Sequence, residues 1–241
     1  MTQIHRFPDP ESLAIGAAAF LGQAIVDRVA EAGIAHVVLA GGSTPRLTYQ
    51  RLGSQLAGAG LADGSLAFYW GDERCVPLDD PASNFRLAQE ALLTALPADL
   101  FEAYPMECGQ RPEAGAAAYQ EKLRQAFPAA EWPRFDLVIL GLGSDGHTAS
   151  LFPGSPLLEE IKRWVAAAHI DELAGWRLSL TPPAINAART VAFLVQGSGK
   201  AGAVRSVMRG EHDPARWPAQ IVEPVEGELH WFLDEAAAVR L

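Results

Sequence analysis

Apolar residues along this chain fall into short, nearly unbroken runs, and longer amphipathic stretches lie between them. Ile34-Ala35-His36-Val37-Val38-Leu39-Ala40 is brief, rich in β-branched residues and bounded by glycine, the pattern of a parallel strand covered on both faces. Leu66 to Trp70 and Phe135 to Leu140 read the same way, and Trp164 to Ala168, Arg177 to Thr181, Thr190 to Val195 and Leu229 to Leu233 are further strand candidates. Asp9-Pro10-Glu11 reads as an N-cap with proline at the first helical position, and apolar residues recur to Val29 before Gly33 stops the helix. Ser83 to Leu96, Pro112 to Phe127 and the stretch from about Lys200 to Met208 predict further helices. Strand and helix in alternation predict an α/β fold, with a mainly parallel central sheet and helices on both faces. Without an internal repeat, a low-complexity tract or a clear linker, residues 1–241 are expected to form one domain.

Composition narrows the range of partners. The chain is 49 % hydrophobic and 20 % charged, as expected for a soluble globular protein able to close a sizeable core. Its net charge of −10 repels a nucleic-acid duplex or an anionic membrane surface, and its aromatic residues are scattered rather than interleaved with basic ones, so neither partner is expected. Any anionic ligand must then be held locally, by a few cations or backbone N–H groups gathered in one place. Cys75 and Cys108 have neither a metal-site spacing nor the framework of a secreted disulfide scaffold, and are expected to be free thiols. Leu13 to Val26 is apolar, but Asp9 and Glu11 precede it where a signal peptide carries basic charge, and Gln23 interrupts it. No run reaches the roughly 18 apolar residues of a membrane span, so a cytoplasmic location is the default expectation. The expected assembly state is a monomer or a weak homodimer, since pattern alone locates no apolar surface patch.

In open parallel sheets, ligands bind beyond the carboxyl ends of the strands, which directs attention to the residues just past each buried run. After Ala40 comes Gly41-Gly42-Ser43-Thr44-Pro45-Arg46, and after Val195 comes Gln196-Gly197-Ser198-Gly199-Lys200. Both have the makings of an anion cradle: turning glycines, hydroxyls at Ser43 and Thr44, a helix start and a point charge at Lys200. Either alone is as well read as a capped strand-to-helix turn; two in one fold favour a phosphate. After Leu140, the segment Gly141-Leu142-Gly143-Ser144-Asp145-Gly146-His147-Thr148 carries an imidazole whose ordinary pKa near 6.5 suits a proton acceptor. Asp145, two residues earlier, is placed to orient it. After Trp70, Gly71-Asp72-Glu73-Arg74 puts two acids and a cation at a strand end. Arg74 suits an oxyanion or a phosphate, with Asp72 and Glu73 holding it or other donors, although such a run is often only a solvated turn.

Other motifs fail on context. Gly141-Leu142-Gly143-Ser144-Asp145-Gly146 matches the dinucleotide fingerprint, but Pro153 arrives after only six residues, where that fold needs a full helix. Gly197-Ser198-Gly199-Lys200-Ala201 has Leu194 where a phosphate-binding P-loop has glycine, and Ala201 cannot supply a magnesium-binding hydroxyl. Neither a Gly-x-Ser-x-Gly elbow nor a His-Glu-x-x-His pair occurs, so a serine hydrolase and a zinc peptidase have no support, and no metal or cofactor is expected.

Taken in order, the loaded segments resemble the 6-phosphogluconolactonase family. The resemblance is carried by Ala40 to Pro45, Gly71 to Pro77 with Ser83-Asn84, Gly141 to Pro153, Leu180 to Asn186, and Phe193 to Gly197 ending at Lys200-Ala201. It implies an open, Rossmann-like sheet related to glucosamine-6-phosphate deaminase and ribose-5-phosphate isomerase. It also implies hydrolysis of 6-phospho-D-glucono-1,5-lactone to 6-phosphogluconate in the oxidative pentose phosphate pathway. On that reading His147 is the general base, Asp145 its orienting partner and Arg74 the oxyanion partner, with Asp72 beside it. Gly42, Ser43, Thr44, Lys200 and Arg177 hold the phosphate. The rival deaminase branch continues its histidine element toward a carboxylate at the position where this chain has Phe152, which cannot relay a proton. A sugar-phosphate sensor without catalysis is the other alternative; the presence of both His147 and Arg74 speaks against it.

Overall fold

The computed structural model describes residues 2–170 and 175–241. Its strands are β1 (Thr2–Phe7), β2 (Ala35–Leu39), β3 (Leu66–Trp70), β4 (Asp72–Arg74), β5 (Phe101–Tyr104), β6 (Leu137–Leu140), β7 (Val165–Ile170), β8 (Gly175–Leu180), β9 (Thr190–Val195) and β10 (Glu228–Asp234). Its α-helices are α1 (Pro10–Ala32), α2 (Ser43–Ala57), α3 (Asn84–Ala91), α4 (Pro112–Ala126), α5 (Pro182–Asn186), α6 (Ala201–Arg209) and α7 (Glu235–Ala238). Seven strands form one sheet in the order β1-β10-β9-β6-β2-β3-β5, and every pairing in it is parallel. Every residue of β3 and β6 is buried, which is why these strands read as unbroken apolar runs. Val37, Phe68, Ile139 and Phe193 are fully buried, and each such side chain contributes about 1.5–3 kcal/mol through burial.

Helix α1 forms where the caps predict. The Asp9 carboxylate accepts from the Ser12 N–H, Pro10 opens the first turn, and Gly33 at φ 79° donates its N–H to the Val29 carbonyl. Its 23 residues are long and apolar enough to cross a membrane, which corrects the expectation that no segment qualifies. Alanines raise its apolarity despite the interrupting polar residues. Leu13, Ala17, Leu21 and Ile25 form its buried stripe and join the core cluster.

The structure departs from the strict alternation in one important place. β7 and β8, expected in the parallel series, pair antiparallel with each other, and β8 pairs antiparallel with β4, giving a separate three-stranded sheet β4-β8-β7. β7 ends at Ile170 and β8 begins at Gly175, too few residues for the crossover of about a dozen that a parallel neighbour requires. Strands β1, β4 and β5 carried no sequence signal: β1 and β5 are the half-exposed edges of the large sheet, and β4 is only three residues long. The helix expected over Ser83 to Leu96 divides into α3 and a 3₁₀ turn at Leu93–Ala95.

Cys75 and Cys108 are not free thiols. They are joined as a disulfide, with Cα atoms 5.1 Å apart. They lie 33 residues apart in sequence, and the pairing of β3 with β5 brings the segments beyond those strands together.

Two histidines in this framework are held below the ordinary imidazole range. Burial, then the neighbouring His230 ring, lowers His5, whose Nε2 lies 3.1 Å from His230 Nδ1. Burial likewise lowers His36, with Asp136 opposing and Arg28 reinforcing the shift. A histidine whose folded pKa lies below the unfolded value near 6.5 leaves stability intact above that value and erodes it as pH falls toward the folded pKa. The melting temperature is therefore expected to fall between about pH 7 and pH 5, and to fall less in His5→Gln. Calorimetric scans across that range check this, and identical pH slopes for the two proteins would exclude His5 as a contributor.

Candidate active site

The large sheet changes direction at β2. From there the chain runs outward through β3 and β5, while β6, β9 and β10 are added on the other side. Loops leaving the carboxyl ends of β2 and β6 therefore diverge and leave a crevice, the usual ligand position in an open α/β sheet. A cleft of about 210 Å³ opens there. It gathers Gly42, Ser43 and Thr44 from the first segment, Asp72 and Arg74 from the second, His147 from the third and Lys200 from the last. Asp145 and Arg177, both expected at the site, are not lining residues of this cleft: Asp145 reaches it through its contact with His147, and Arg177 lies across the strand pair from Arg74.

One wall is an open helix end. Gly42 is the N-cap of α2 and offers no side-chain cap, so the first N–H groups of the helix have no intrahelical partner and suit an anion. Tyr49 fixes the approach to this loop: its hydroxyl accepts from the Ala40 N–H at 2.8 Å and donates to the Ala40 carbonyl at 2.9 Å. Lys200 closes the 3₁₀ turn Ser198–Lys200 beyond β9, and it forms no ion pair among the described residues. Asp234, at the end of β10, accepts from the N–H groups of Gly197 and Ala237, which anchors that turn without engaging the lysine.

The Asp72-Glu73-Arg74 strand separates its two acids by role. Glu73, 2 % exposed, accepts hydrogen bonds from the N–H groups of Arg74, Asn84 and Phe85 and from the Ser83 hydroxyl, so it serves the start of α3. Burial still pushes its carboxyl above the usual glutamate range, because those hydrogen bonds only partly offset the desolvation. Asp72 faces the cleft. Arg74 donates to the Ala82 carbonyl and lines the cleft; across the β4–β8 register it lies opposite Arg177. Arg177 is lowered by burial and then by the charge of Arg74, with Asp72 and Glu73 opposing. Two like charges paired across strands are unfavourable unless an anion joins them.

The histidine loop is folded tightly around its own side chains. His147 Nδ1 lies 2.6 Å from Asp145 Oδ1, and the Gly143 N–H donates to the His147 carbonyl at 2.8 Å. A Cβ at Gly143 would fall 2.1 Å from His147 Nδ1, so only glycine admits the ring here. Burial pushes the Asp145 carboxyl up, but hydrogen bonds from the His147 ring and backbone, with the charge of the ring, hold it below the usual aspartate range. Phe152 stacks on the imidazole with centroids 4.2 Å apart, and the His147 side chain remains 32 % exposed. With Nδ1 engaged by a carboxylate, Nε2 is the nitrogen left to accept a proton.

Sequence reasoning did not assign roles to Asn84, Ser150 or the stacking face of Phe152. Asn84 and Ser150 both hydrogen-bond Asp72, from 12 and 78 residues away; both fall in segments that carry the family resemblance, but the resemblance gave neither a role. No local spacing announces such contacts.

Comparison with known proteins places the chain among relatives. The chain is 39 % identical over 220 residues to 6-phosphogluconolactonase of Synechocystis sp., covering 90 % of this chain and 89 % of that protein. It is 41 % identical over 204 residues to 6-phosphogluconolactonase of Homo sapiens, covering 83 % and 78 %. The solved structure of 6-phosphogluconolactonase from Trypanosoma brucei superposes with a TM-score of 0.85 at 31 % identity, over 100 % of this chain and 99 % of that one. Residues 8–231 match the model of the glucosamine-6-phosphate isomerase/6-phosphogluconolactonase family, and the chain belongs to that family.

Proposed function

We propose that this protein hydrolyses 6-phospho-D-glucono-1,5-lactone to 6-phosphogluconate, with His147 as general base. The observation that carries the reading is the meeting, in one cleft, of a carboxylate-oriented imidazole, cations that form no ion pair among the described residues and an uncapped helix start. His147 Nε2 takes a proton from water, whose oxygen attacks C1 of the lactone. The carbonyl oxygen becomes the oxyanion of a tetrahedral intermediate, which Arg74 faces, and removal of one such donor elsewhere costs about 2.7–4 kcal/mol. As the C1–ring-oxygen bond breaks, the proton passes from His147 to the departing oxygen. Asp145 holds the ring in the required tautomer throughout.

At the far end, the start of α2 with Ser43 and Thr44, together with Lys200, holds the 6-phosphate, and Arg177 adds positive charge beside Arg74. Anchoring the phosphate sets C1 against His147. Ester hydrolysis involves no change of oxidation state, so acid–base and charge-stabilising side chains suffice for it. Phe152 packs where a deaminase of this superfamily needs a carboxylate, which favours the lactonase reading.

Freshly prepared lactone is expected to release acid at fixed pH in the presence of the enzyme, while glucosamine 6-phosphate yields no ammonia; the reverse pattern would overturn the assignment. His147→Ala, in a fold verified by circular dichroism, should lose ~10²–10⁴-fold in kcat. Full activity in that variant would remove His147 as the base. Lys200→Ala should raise KM for the lactone while leaving kcat within a few fold, and an unchanged KM would exclude Lys200 from the phosphate site.

A further inference from the structure

Arg74 and Arg177 sit next to two buried acids, yet among the described residues neither guanidinium forms an ion pair. Arg74 donates instead to the Ala82 carbonyl and Arg177 to the Trp176 carbonyl at 3.0 Å, and the acids hold other partners. Glu73 is saturated by backbone and hydroxyl donors at the start of α3. Asp72 is held between two neutral side chains: its Oδ1 accepts from Asn84 Nδ2 at 3.1 Å and its Oδ2 from Ser150 Oγ at 2.7 Å. Asn84 Nδ2 also donates to the Asp72 carbonyl at 2.9 Å, so a flipped amide would set oxygen against two acceptors.

Asn84 and Ser150 are 2 % and 1 % exposed, and Asn84 shares the cleft lining with Asp72 and Arg74. The amide is kept here at a cost. Its own Oδ1 is buried without a hydrogen-bond partner among the described residues, and a Cβ on Gly41 would fall 1.7 Å from that oxygen. The first glycine of the anion loop is therefore required by Asn84 as well as by any ligand. A carboxylate oxygen left with no donor beside a guanidinium group is drawn into a charge-assisted pair.

We propose that Asn84 and Ser150 are positioning residues that occupy the Asp72 carboxylate with neutral donors, and so keep Arg74 and Arg177 available to the anionic substrate. This rests on the reading of the cleft as a sugar-phosphate site. Removing either donor frees Asp72 to capture an arginine, and the anion then loses its cation.

The test is a double-mutant cycle read by calorimetric binding of 6-phosphogluconate to the intact protein. Ser150→Ala, a near-isosteric change, is expected to weaken binding by ~10-fold or more, as for loss of a hydrogen bond to a charged group. In an Asp72→Asn background, where no carboxylate competes for the arginines, the same change should cost at most about twofold. An equal loss in both backgrounds would mean that Ser150 is merely structural, and would overturn the proposal. Asn84→Ala provides the second variant with the same expected pattern. Binding that Arg74→Ala abolishes, but that Ser150→Ala and Asn84→Ala leave untouched, would overturn the clamp alone. Binding indifferent to Arg74→Ala would overturn the cleft reading, and the clamp with it.

Discussion

A buried carboxylate must be hydrogen-bonded or paired, and the commonest partner nearby is an arginine. In this protein Asp72 and Glu73 are buried on the strand that carries Arg74, opposite Arg177 on the neighbouring strand, and they are satisfied by neutral groups instead. Arg74 lines the cleft, and neither it nor Arg177 forms an ion pair among the described residues. In a protein whose net charge is −10, an anion must be held by local groups, unpaired cations or backbone N–H groups, against the sign of the whole molecule.

The backbone architecture creates the conditions for that constraint. The strand order reverses at β2, which opens the crevice, and the small antiparallel sheet carries Arg74 into its lining, with Arg177 opposite on the neighbouring strand. The imidazole reaches the same place on a loop whose glycine at position 143 lets the ring and Asp145 pack against backbone. Phe152 covers one face of the ring, which restricts its motion without adding a titrating group. Orientation, rather than a high density of catalytic groups, is what this site supplies.

Most of the site could be read along the chain because its chemistry is local. Asp145 lies two residues from His147, Ser43 and Thr44 open their own helix, and Lys200 closes the turn after a strand that the pattern placed to the residue. The buried strands were legible for the same reason: full burial on both faces leaves no polar position to interrupt the run. What escaped was non-local. The Cys75–Cys108 bond, the edge strands, and the Asn84 and Ser150 contacts with Asp72 join segments tens of residues apart or depend on which side of a strand is covered.

By itself, then, the order of residues determined the α/β alternation, the anion loops and the candidate base, since each arises from periodicity or from neighbours a few positions away. Only the tertiary structure decided that β7 and β8 leave the parallel sheet, that Glu73 serves a helix start while Asp72 faces the cleft, and that neutral donors satisfy both acids. The physical reason is that hydrogen-bond partners for buried charges are chosen by proximity in space, and no sequence spacing encodes a proximity that the packing of the sheets creates.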